Sequence, residues 1–446
     1  MKKTDSAATS PQTDPLRAAQ ADSTGPRAAD GQPAAGHGLS RRDFLASSAA
    51  AAATFTIAPR HVLGGAGQTP PSEQIRAAVI GCGGRGGAKD LRYATLGLLG
   101  SNAVKVAECD VKFRDIADNK TIYSDFRRVL ERDDIDVIVI ATHPGWHALI
   151  SIAAMEAGKD VLCEKPLCRF ISEGRAIADA EKRTGRIFQI ENKGAPGKSK
   201  LRKILHHGLV GNKFDRTAII RGGFKLDAWY GHMEYGVEAP KGLDWDMYCG
   251  PAPLRPLNGH RVGGHHRGYW DYDGGGLGDM ATHHLWGSAC GTGRDLSCPV
   301  EAIPYAPPQH PEAAGMWGWC EIKFADGFKM VLESAEWGKP YEKPANPADS
   351  DEKYLLGLLS PEQLKQLDSL PDAPGGEPGF LQAVRTRQRA GGHAERAHKV
   401  TMIFHMANVA FRCGRTVRMD PVTEQIIGDE EANRLVNQPM RAPWRL

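Results

Sequence analysis

The fold is decided by the stretch Ile75–Asp90, which reads IRAAVIGCGGRGGAKD. Ile75–Ile80 is a short apolar run with β-branched members, and such a run predicts a buried parallel strand. The glycine-rich turn GCGGRG follows at once, and residues 88–99 have the pattern of a helix. This is a G-x-G-x-x-G turn in the strand–turn–helix setting that a dinucleotide-binding Rossmann domain requires.

Each residue of this turn has a predicted part in holding a dinucleotide. Gly81 permits the tight turn, Gly83 lets the backbone approach the pyrophosphate, and Gly86 lets the helix pack on the strand. The amide groups at the helix N-terminus then face the phosphates. We predict that these glycines bind the cofactor together with Gly84 and Arg85.

Asp110 predicts which dinucleotide is bound. Residues 104–109 have the pattern of a strand, and Asp110 stands at its end. A carboxylate there accepts hydrogen bonds from the adenosine ribose and repels a 2′-phosphate, which favours NAD over NADP. Lys112 is close enough to soften this preference. The alternative is an aspartate in an ordinary surface turn.

Strand and helix patterns alternate through the rest of this region. Apolar runs at residues 135–141, 160–163 and 186–190 have the pattern of buried strands, and helical patterns cover residues 148–157 and 173–184. The alternation predicts an α/β fold, a doubly wound parallel sheet with helices on both faces.

Two loops that follow predicted strands carry candidate binding residues. Ligands of doubly wound sheets bind outside the carboxyl ends of the strands. We therefore predict that Thr142, His147 and Glu164 contact the cofactor and that Trp146 contacts the substrate.

The patterns change near residue 193 and predict a second domain. A helix is expected at residues 198–210, strands at 214–224 and 317–337 with a hairpin turn at Asp326 and Gly327, and two helices within 380–412. This combination predicts an α+β domain with an open, mainly antiparallel sheet.

The predicted boundaries are residues 1–70 for a disordered N-terminus with a signal, 71–192 for the Rossmann domain and 193–446 for the α+β domain. Residues 338–378 are rich in Pro, Asp and Gly and are predicted to form a surface insertion. The C-terminal helices and tail are expected to pack on the Rossmann domain. The open sheet presents a face that needs a cover, so we expect a homo-oligomer, a dimer or a tetramer.

The sequence Glu164-Lys165-Pro166, taken with the glycine turn, resembles the Gfo/Idh/MocA oxidoreductases. Members of that family carry E-K-P after a Rossmann strand and a G-G-G-x-x-x-D-x-x-x-H-like element in the second domain, which here is GGGLGDMATH at residues 274–283. The resemblance implies that Lys165 lies between nicotinamide and substrate and polarises the reacting oxygen. The chain departs from the family in the loop after Ala141, at Trp286 and over residues 191–200, so the resemblance implies no particular sugar.

Asp279 and His283 form the candidate acid/base pair. They stand four residues apart, so on a helix both side chains lie on one face. An aspartate paired with an imidazole raises its basicity, which suits removal of a proton from a sugar hydroxyl. The alternative is an N-cap aspartate followed by a packing histidine.

The run HHRGYW at residues 265–270 is the candidate sugar-binding segment, because hydrogen-bond donors interleaved with aromatic rings suit hydroxyl edges and C–H faces. We predict substrate contacts from His265, His266, Arg267 and Tyr269. The spacing of His, Cys and carboxylate residues matches no common metal site, so no metal is predicted.

The N-terminal residues predict export. SRRDFL at residues 40–45 precedes an Ala-rich apolar run to residue 58, which is typical of a twin-arginine signal. That machinery carries folded proteins to the periplasm, so the predicted NAD is loaded beforehand and held tightly. The alternative is a chance arginine pair before an alanine-rich helix.

These observations predict an exported NAD-dependent oxidoreductase that transfers a hydride between bound nicotinamide and a carbohydrate or cyclitol. One alternative is an NAD-dependent glycoside hydrolase or lyase that works by transient sugar oxidation, elimination and re-reduction. Another is a non-catalytic sugar- or cofactor-binding protein. The formal net charge of +3 gives no basis for a nucleic-acid partner.

Overall fold

The computed structural model describes most of the chain beyond residue 72. The described residues are 73–82, 103–115, 119–191, 193–211, 217–221, 240–257, 259–275, 277–314, 318–333, 341 and 352–446. Several predictions lie outside the described residues, namely the disordered N-terminus with its export signal, the turn residues Gly83, Gly84, Arg85 and Gly86, and the helix at 88–99.

The first sheet has six parallel strands in the order β3-β2-β1-β4-β5-β6. The strands are β1 (Ile75–Ile80), β2 (Ala103–Cys109), β3 (Ile122–Tyr123), β4 (Val137–Ile140), β5 (Asp160–Cys163) and β6 (Phe188–Ile190). Every residue of the central strands β4 and β5 is buried, because helices or loops cover both faces of a parallel sheet. The predicted doubly wound sheet is confirmed.

Three described helices connect these strands. They are α1 (Phe126–Leu130), α2 (His147–Glu156) and α3 (Ile171–Thr184). The Asp125 side chain caps α1 by accepting from the amide of Arg127, and Gly185 ends α3 in the left-handed conformation with φ 63°.

The second sheet also has six strands, in the order β12-β11-β8-β9-β10-β7. The strands are β7 (Thr217–Arg221), β8 (Pro299–Tyr305), β9 (Trp319–Phe324), β10 (Lys329–Glu333), β11 (Val417–Asp420) and β12 (Gln425–Ile426). The pair β7 and β10 is parallel and the other pairs are antiparallel, which confirms a mainly antiparallel sheet. Gly327, with φ 83°, forms the predicted turn between β9 and β10.

Eight described helices belong to the second domain. They are α4 (Lys200–His206), α5 (Trp245–Cys249), α6 (Thr282–Thr292), α7 (Glu352–Gly357), α8 (Pro361–Ser369), α9 (Phe380–Thr386), α10 (Ala394–Cys413) and α11 (Glu430–Val436). The long helix α10 is buried over most of its length and contacts both α3 of the first domain and β8 of the second sheet. Within the described residues, no helix combines the length and the apolar character needed to cross a membrane.

The part of the predicted insertion that the structure describes contains the helices α7 and α8. Their leucines Leu355 and Leu367 are buried against Ile204 and Leu205 of α4. This part of the insertion therefore has a small apolar core of its own.

A buried ionic network joins α4 to α10. The carboxylate of Asp295 accepts hydrogen bonds from Arg202 (2.7 Å) and from Arg396 (2.9 Å), and all three side chains are almost completely buried. Two guanidinium groups share this carboxylate, so its removal takes a buried partner from each of them, and Arg396 keeps only its ion pair with Glu377 at 2.9 Å.

Replacement of Asp295 by alanine is expected to lower the free energy of unfolding by about 3–5 kcal/mol, which urea titration measures. Glu156→Ala is the control, because it removes an exposed ion pair with Arg183 and is expected to cost less than about 1 kcal/mol. Equal midpoints for the two variants would contradict a stabilising role for the network.

Candidate active site

One cavity lies at the carboxyl ends of the first sheet and is closed by residues of the second domain. Its volume is about 300 Å³. The residues on its wall that the sequence singled out are Gly81, Asp110, Thr142, Trp146, Glu164, Lys165, His266, Arg267, Asp279 and His283. The structure therefore brings the candidate cofactor and substrate residues together at one place.

Gly81 forms the tight turn after β1. Its φ is +91°, and its amide donates to the carbonyl oxygen of Cys109 at 2.8 Å. A Cβ atom at this position would lie 2.5 Å from the amide nitrogen of Thr142. Glycine is therefore needed both for the backbone conformation and for the close approach of the two loops.

Asp110 is placed as the dinucleotide prediction requires. It follows β2, it is buried, and its Oδ1 accepts from the amide of Lys112 at 3.0 Å. Both Asp110 and Lys112 lie on the cavity wall. The carboxylate is thus held by the backbone in the position at which Rossmann domains bind the adenosine ribose.

Two polar atoms of the residues beside the cavity are shielded from it. Thr142 Oγ1 and His143 Nδ1 are buried and have no hydrogen-bond partner among the described residues. Both residues lie on the cavity wall.

His147 does not lie on the cavity wall, so its predicted cofactor contact is not found. Its ring is fully buried, with Nδ1 2.7 Å from the carbonyl oxygen of Pro166 and Nε2 3.1 Å from that of Thr142. Burial lowers the pKa of His147 to about 4. His147 thus connects the loop of Thr142 to the loop of Lys165. It is the first residue of α2, and its side chain lies behind the cavity wall.

Trp146 lies on the wall but is held mainly by protein contacts. Its indole Nε1 donates to the carbonyl oxygen of Met247 at 3.0 Å. Its ring packs edge-on against Trp444, with the centroids 4.7 Å apart, and against Phe126 at 5.5 Å. The C-terminal tail therefore supports the cavity wall from behind.

Lys165 forms the central ion pair of the cavity. Its Nζ contacts the Asp279 carboxylate through Oδ1, and Arg267 Nε donates to Oδ2 of the same carboxylate at 2.7 Å. Although burial raises the pKa of Asp279, these two cations hold it below its usual range. Asp279 therefore stays ionised and fixes both cations.

The predicted pairing of Asp279 with His283 is not found. The four-residue spacing assumes a regular α-helix, but Leu277–Ala281 forms a π-helical turn before α6 begins. The wider turn rotates Asp279 away from His283 and towards Lys165. Instead, His283 Nδ1 lies 3.1 Å from Nζ of Lys193, a residue that the sequence did not single out by itself.

Asp273 is a site residue that sequence reasoning missed. It lies on the cavity wall and is 1% exposed, and its Oδ2 lies 3.6 Å from Nε2 of His266. Burial and the nearby charge of Asp279 raise the pKa of Asp273 to about 8. In the sequence it is one of several aspartates beside a glycine run, and nothing there marks it as protonated.

His265 and Tyr269 do not lie on the cavity wall, so their predicted substrate contacts are not found. The hydroxyl of Tyr269 lies 2.7 Å from Nδ1 of His260, and the His265 ring stacks on His260. The segment Gly263–Gly268 is a 3₁₀ helix, which turns successive side chains about 120° apart. Only part of the run can therefore face the cavity.

In the described part of the chain, no three or more His, Cys, Asp or Glu side chains are grouped so as to hold a metal ion. The polar part of the cavity wall instead consists of ion-paired side chains and of uncharged hydrogen-bond donors. Such a wall suits hydroxyl groups and a dinucleotide.

Comparison with known families agrees with this geometry. Residues 75–192 match the Gfo/Idh/MocA model described as an oxidoreductase family with an NAD-binding Rossmann fold. Residues 196–446 match the companion model, described as the C-terminal alpha/beta domain of that oxidoreductase family. The chain belongs to the Gfo/Idh/MocA oxidoreductase family, and the predicted resemblance is confirmed.

Individual relatives cover smaller parts. A levoglucosan dehydrogenase of Pseudarthrobacter phenanthrenivorans is 31% identical over 35% of this chain and 42% of its own length. A glycosyl hydrolase family 109 protein of Solibacter usitatus is 30% identical over 27% of this chain and 31% of its own length. The chain thus spans less than half the length of these curated relatives.

Among solved structures, the WlbA dehydrogenase of Bordetella pertussis, in complex with NADH and UDP-GlcNAcA, is 14% identical. Its alignment covers 78% of this chain and 99% of that chain, with a TM-score of 0.48.

Replacement of Gly81 by alanine is expected to abolish dinucleotide binding, because the new Cβ meets the backbone of Thr142. Titration calorimetry with NAD measures the loss. Gly158→Ala is the matched control, since Gly158 has φ +79° but a Cβ atom there would meet no heavy atom within 4 Å. The control introduces the same backbone strain, roughly 1–2 kcal/mol for alanine at a positive φ, and is expected to bind NAD normally. Normal affinity in the Gly81 variant would contradict the assignment.

Proposed function

We propose that this chain is an NAD-dependent oxidoreductase that transfers a hydride between a tightly bound nicotinamide cofactor and a carbohydrate or cyclitol. One observation carries the proposal. Lys165, after β5 of the Rossmann sheet, is ion-paired with Asp279 of the second domain on the wall of the cavity that also contains Gly81 and Asp110. The pair joins the cofactor side of the cavity to the substrate side.

The proposed chemistry divides between cofactor and protein. Nicotinamide, when bound, supplies the hydride acceptor or donor at the substrate carbon. Lys165 offers a fixed N–H donor to the oxygen on that carbon, because Asp279 holds its ammonium group in place. Arg267 and His266 present further donors to neighbouring hydroxyl groups.

NAD rather than NADP is proposed because Asp110 follows β2 on the cavity wall, and an acidic residue at that position of a Rossmann domain disfavours a 2′-phosphate. It also includes export through the twin-arginine pathway to the periplasm, supported by the sequence around Arg41 and Arg42. Outside the cytoplasm a released cofactor is not replaced. Each catalytic cycle would then consist of oxidation and reduction of one retained dinucleotide. A homo-oligomer, as expected from the sequence, is also part of the proposal.

Purified protein incubated with a panel of free sugars and cyclitols is expected to reduce its nicotinamide with at least one of them, as followed by NADH absorbance. Lys165→Met is expected to lower the rate constant of this reduction by about 10²–10³-fold, because the substrate oxygen loses its charged donor. Lys198→Met is the control, since Lys198 forms an exposed ion pair with Asp372. Wild-type turnover in the Lys165 variant, or no reduction by any member of the panel, would contradict the proposal.

Asp273 favours one second candidate, an NAD-dependent glycoside hydrolase or lyase. A pKa of about 8 keeps this buried carboxyl protonated at neutral pH on the wall of the cavity. Cleavage of a glycoside requires a proton for the departing oxygen, and a neutral carboxylic acid supplies one. An oxidoreductase that only oxidises free sugars has no departing group to protonate.

If the chain cleaves glycosides, release of the leaving group from aryl glycosides is expected without net NADH formation. That release should fall as the pH rises through about 8, because ionised Asp273 has no proton to give. Asp273→Asn keeps a neutral side chain but removes the acid, so it should abolish release and retain oxidation of free sugars. Unchanged release in this variant would exclude Asp273 as the acid.

A further inference from the structure

Lys193 is a buried lysine beside the cavity, and its ammonium group lies between an imidazole and a carboxylate. Its side chain is 9% exposed, and its Nζ lies 3.1 Å from Nδ1 of His283 and 3.6 Å from Oε2 of Glu191. Burial of a charged lysine is costly unless the ammonium group is paired and hydrogen-bonded, and here its neighbours are the Glu191 carboxylate and the His283 ring.

The backbone around Lys193 is closely packed. The amide of Lys193 donates to the carbonyl oxygen of Ile190 at 3.1 Å, and Ile190 in turn donates to the carbonyl oxygen of Gly392 at 2.9 Å. A Cβ atom at Gly392 would lie 2.2 Å from the carbonyl oxygen of Lys193. Glu191 has φ 21°, a strained value of the kind that concentrates at functional sites.

The surroundings of His283 disfavour an imidazolium. The charged groups that face it are Lys165 after β5, Glu191 and Lys193 after β6, and Asp279 of the π-helical turn. Burial, Lys165 and Lys193 together lower the pKa of His283, and the two carboxylates oppose them. The two lysines therefore oppose a positive charge on this ring, although the ring itself is exposed.

A relay avoids that imidazolium. An ammonium group only donates hydrogen bonds, so charged Lys193 requires Nδ1 of His283 as acceptor and places the ring proton on Nε2. A neutral Lys193 amine instead accepts from Nδ1–H and leaves Nε2 free to take a proton. Burial lowers the pKa of Lys193, which makes the amine more accessible.

We propose that Lys193 and His283 form a proton relay, in which His283 exchanges one proton with the substrate oxygen at Nε2 and another with Lys193 at Nδ1. In the direction of oxidation, the hydroxyl proton moves to Nε2 while the Nδ1 proton moves to the Lys193 amine, next to Glu191. The reverse direction returns both protons. Lys193 acts through His283 as a positioning residue, and the inference rests on the proposed function for the identity of the reaction.

Two variants of Lys193 separate a relay from a fixed positive charge. Lys193→Met removes the charge and the proton store, whereas Lys193→Arg keeps a cation that does not deprotonate in proteins. The relay predicts that both variants lower kcat about 10²-fold with little change in KM. Lys198→Met, the exposed control, should keep wild-type turnover. Recovery of wild-type kcat by Lys193→Arg would overturn the relay.

The pH profile of kcat supplies a second readout. In the wild type, kcat for oxidation should rise with pH as Lys193 loses its proton. This rise should lie at higher pH than the ionisation of an ordinary histidine. In Lys193→Met the imidazole itself must hold the proton, so the rising limb should move to lower pH. A limb that stays in place in this variant would overturn the proposal.

The tautomer of His283 can be measured without turnover, so it tests the relay separately from the proposed oxidoreductase function. Nitrogen-15 NMR of histidine-labelled protein, with the His283 signals assigned from their loss in His283→Gln, reports which ring nitrogen carries the proton. Near neutral pH the relay predicts Nε2–H in the wild type and a mixture of tautomers in Lys193→Met. An Nδ1–H tautomer in the wild type near neutral pH, or one tautomer unchanged in the variant, would contradict the relay even if no sugar were oxidised.

Discussion

The ion pair between Lys165 and Asp279 is the interaction on which the site depends. It joins the end of β5 to the π-helical turn of the second domain, so it is an ionic contact between the two domains at the cavity. Asp279 is buried and the Lys165 side chain is only 12% exposed, so each charge would be costly without the other. Arg267 completes the arrangement by taking the second oxygen of the carboxylate.

The neighbouring groups follow from this pair. Asp273 lies near the Asp279 charge and is buried, so it keeps its proton at neutral pH. His283 is left without the carboxylate and meets Lys193 instead. The cavity thus combines a fixed cation at Lys165 with a neutral acid and a neutral imidazole. That combination can exchange protons without adding a further positive charge beside Lys165 and Lys193.

Much of the fold could be predicted from the sequence because its signals are local. The buried strand β5 and the hairpin turn at Gly327 follow from apolar runs and turn residues, and the structure places them as predicted. By contrast, β8 begins at Pro299 and contains Pro304, which hides a strand from pattern reasoning.

The site was harder to predict because its contacts depend on backbone geometry and on distant residues. The spacing of Asp279 and His283 predicts a pair only on a regular helix, and the π-helical turn breaks that assumption. Lys193 and His283 are 90 residues apart, so no local motif connects them. The proton on Asp273 depends on burial and on a neighbouring charge, neither of which the sequence displays.

The central claim is that the cavity retains NAD, and mass spectrometry with absorbance of the protein as purified tests it most directly. The account predicts that denaturation releases about one NAD or NADH per chain. Absence of any dinucleotide, together with no binding of added NAD, would contradict it.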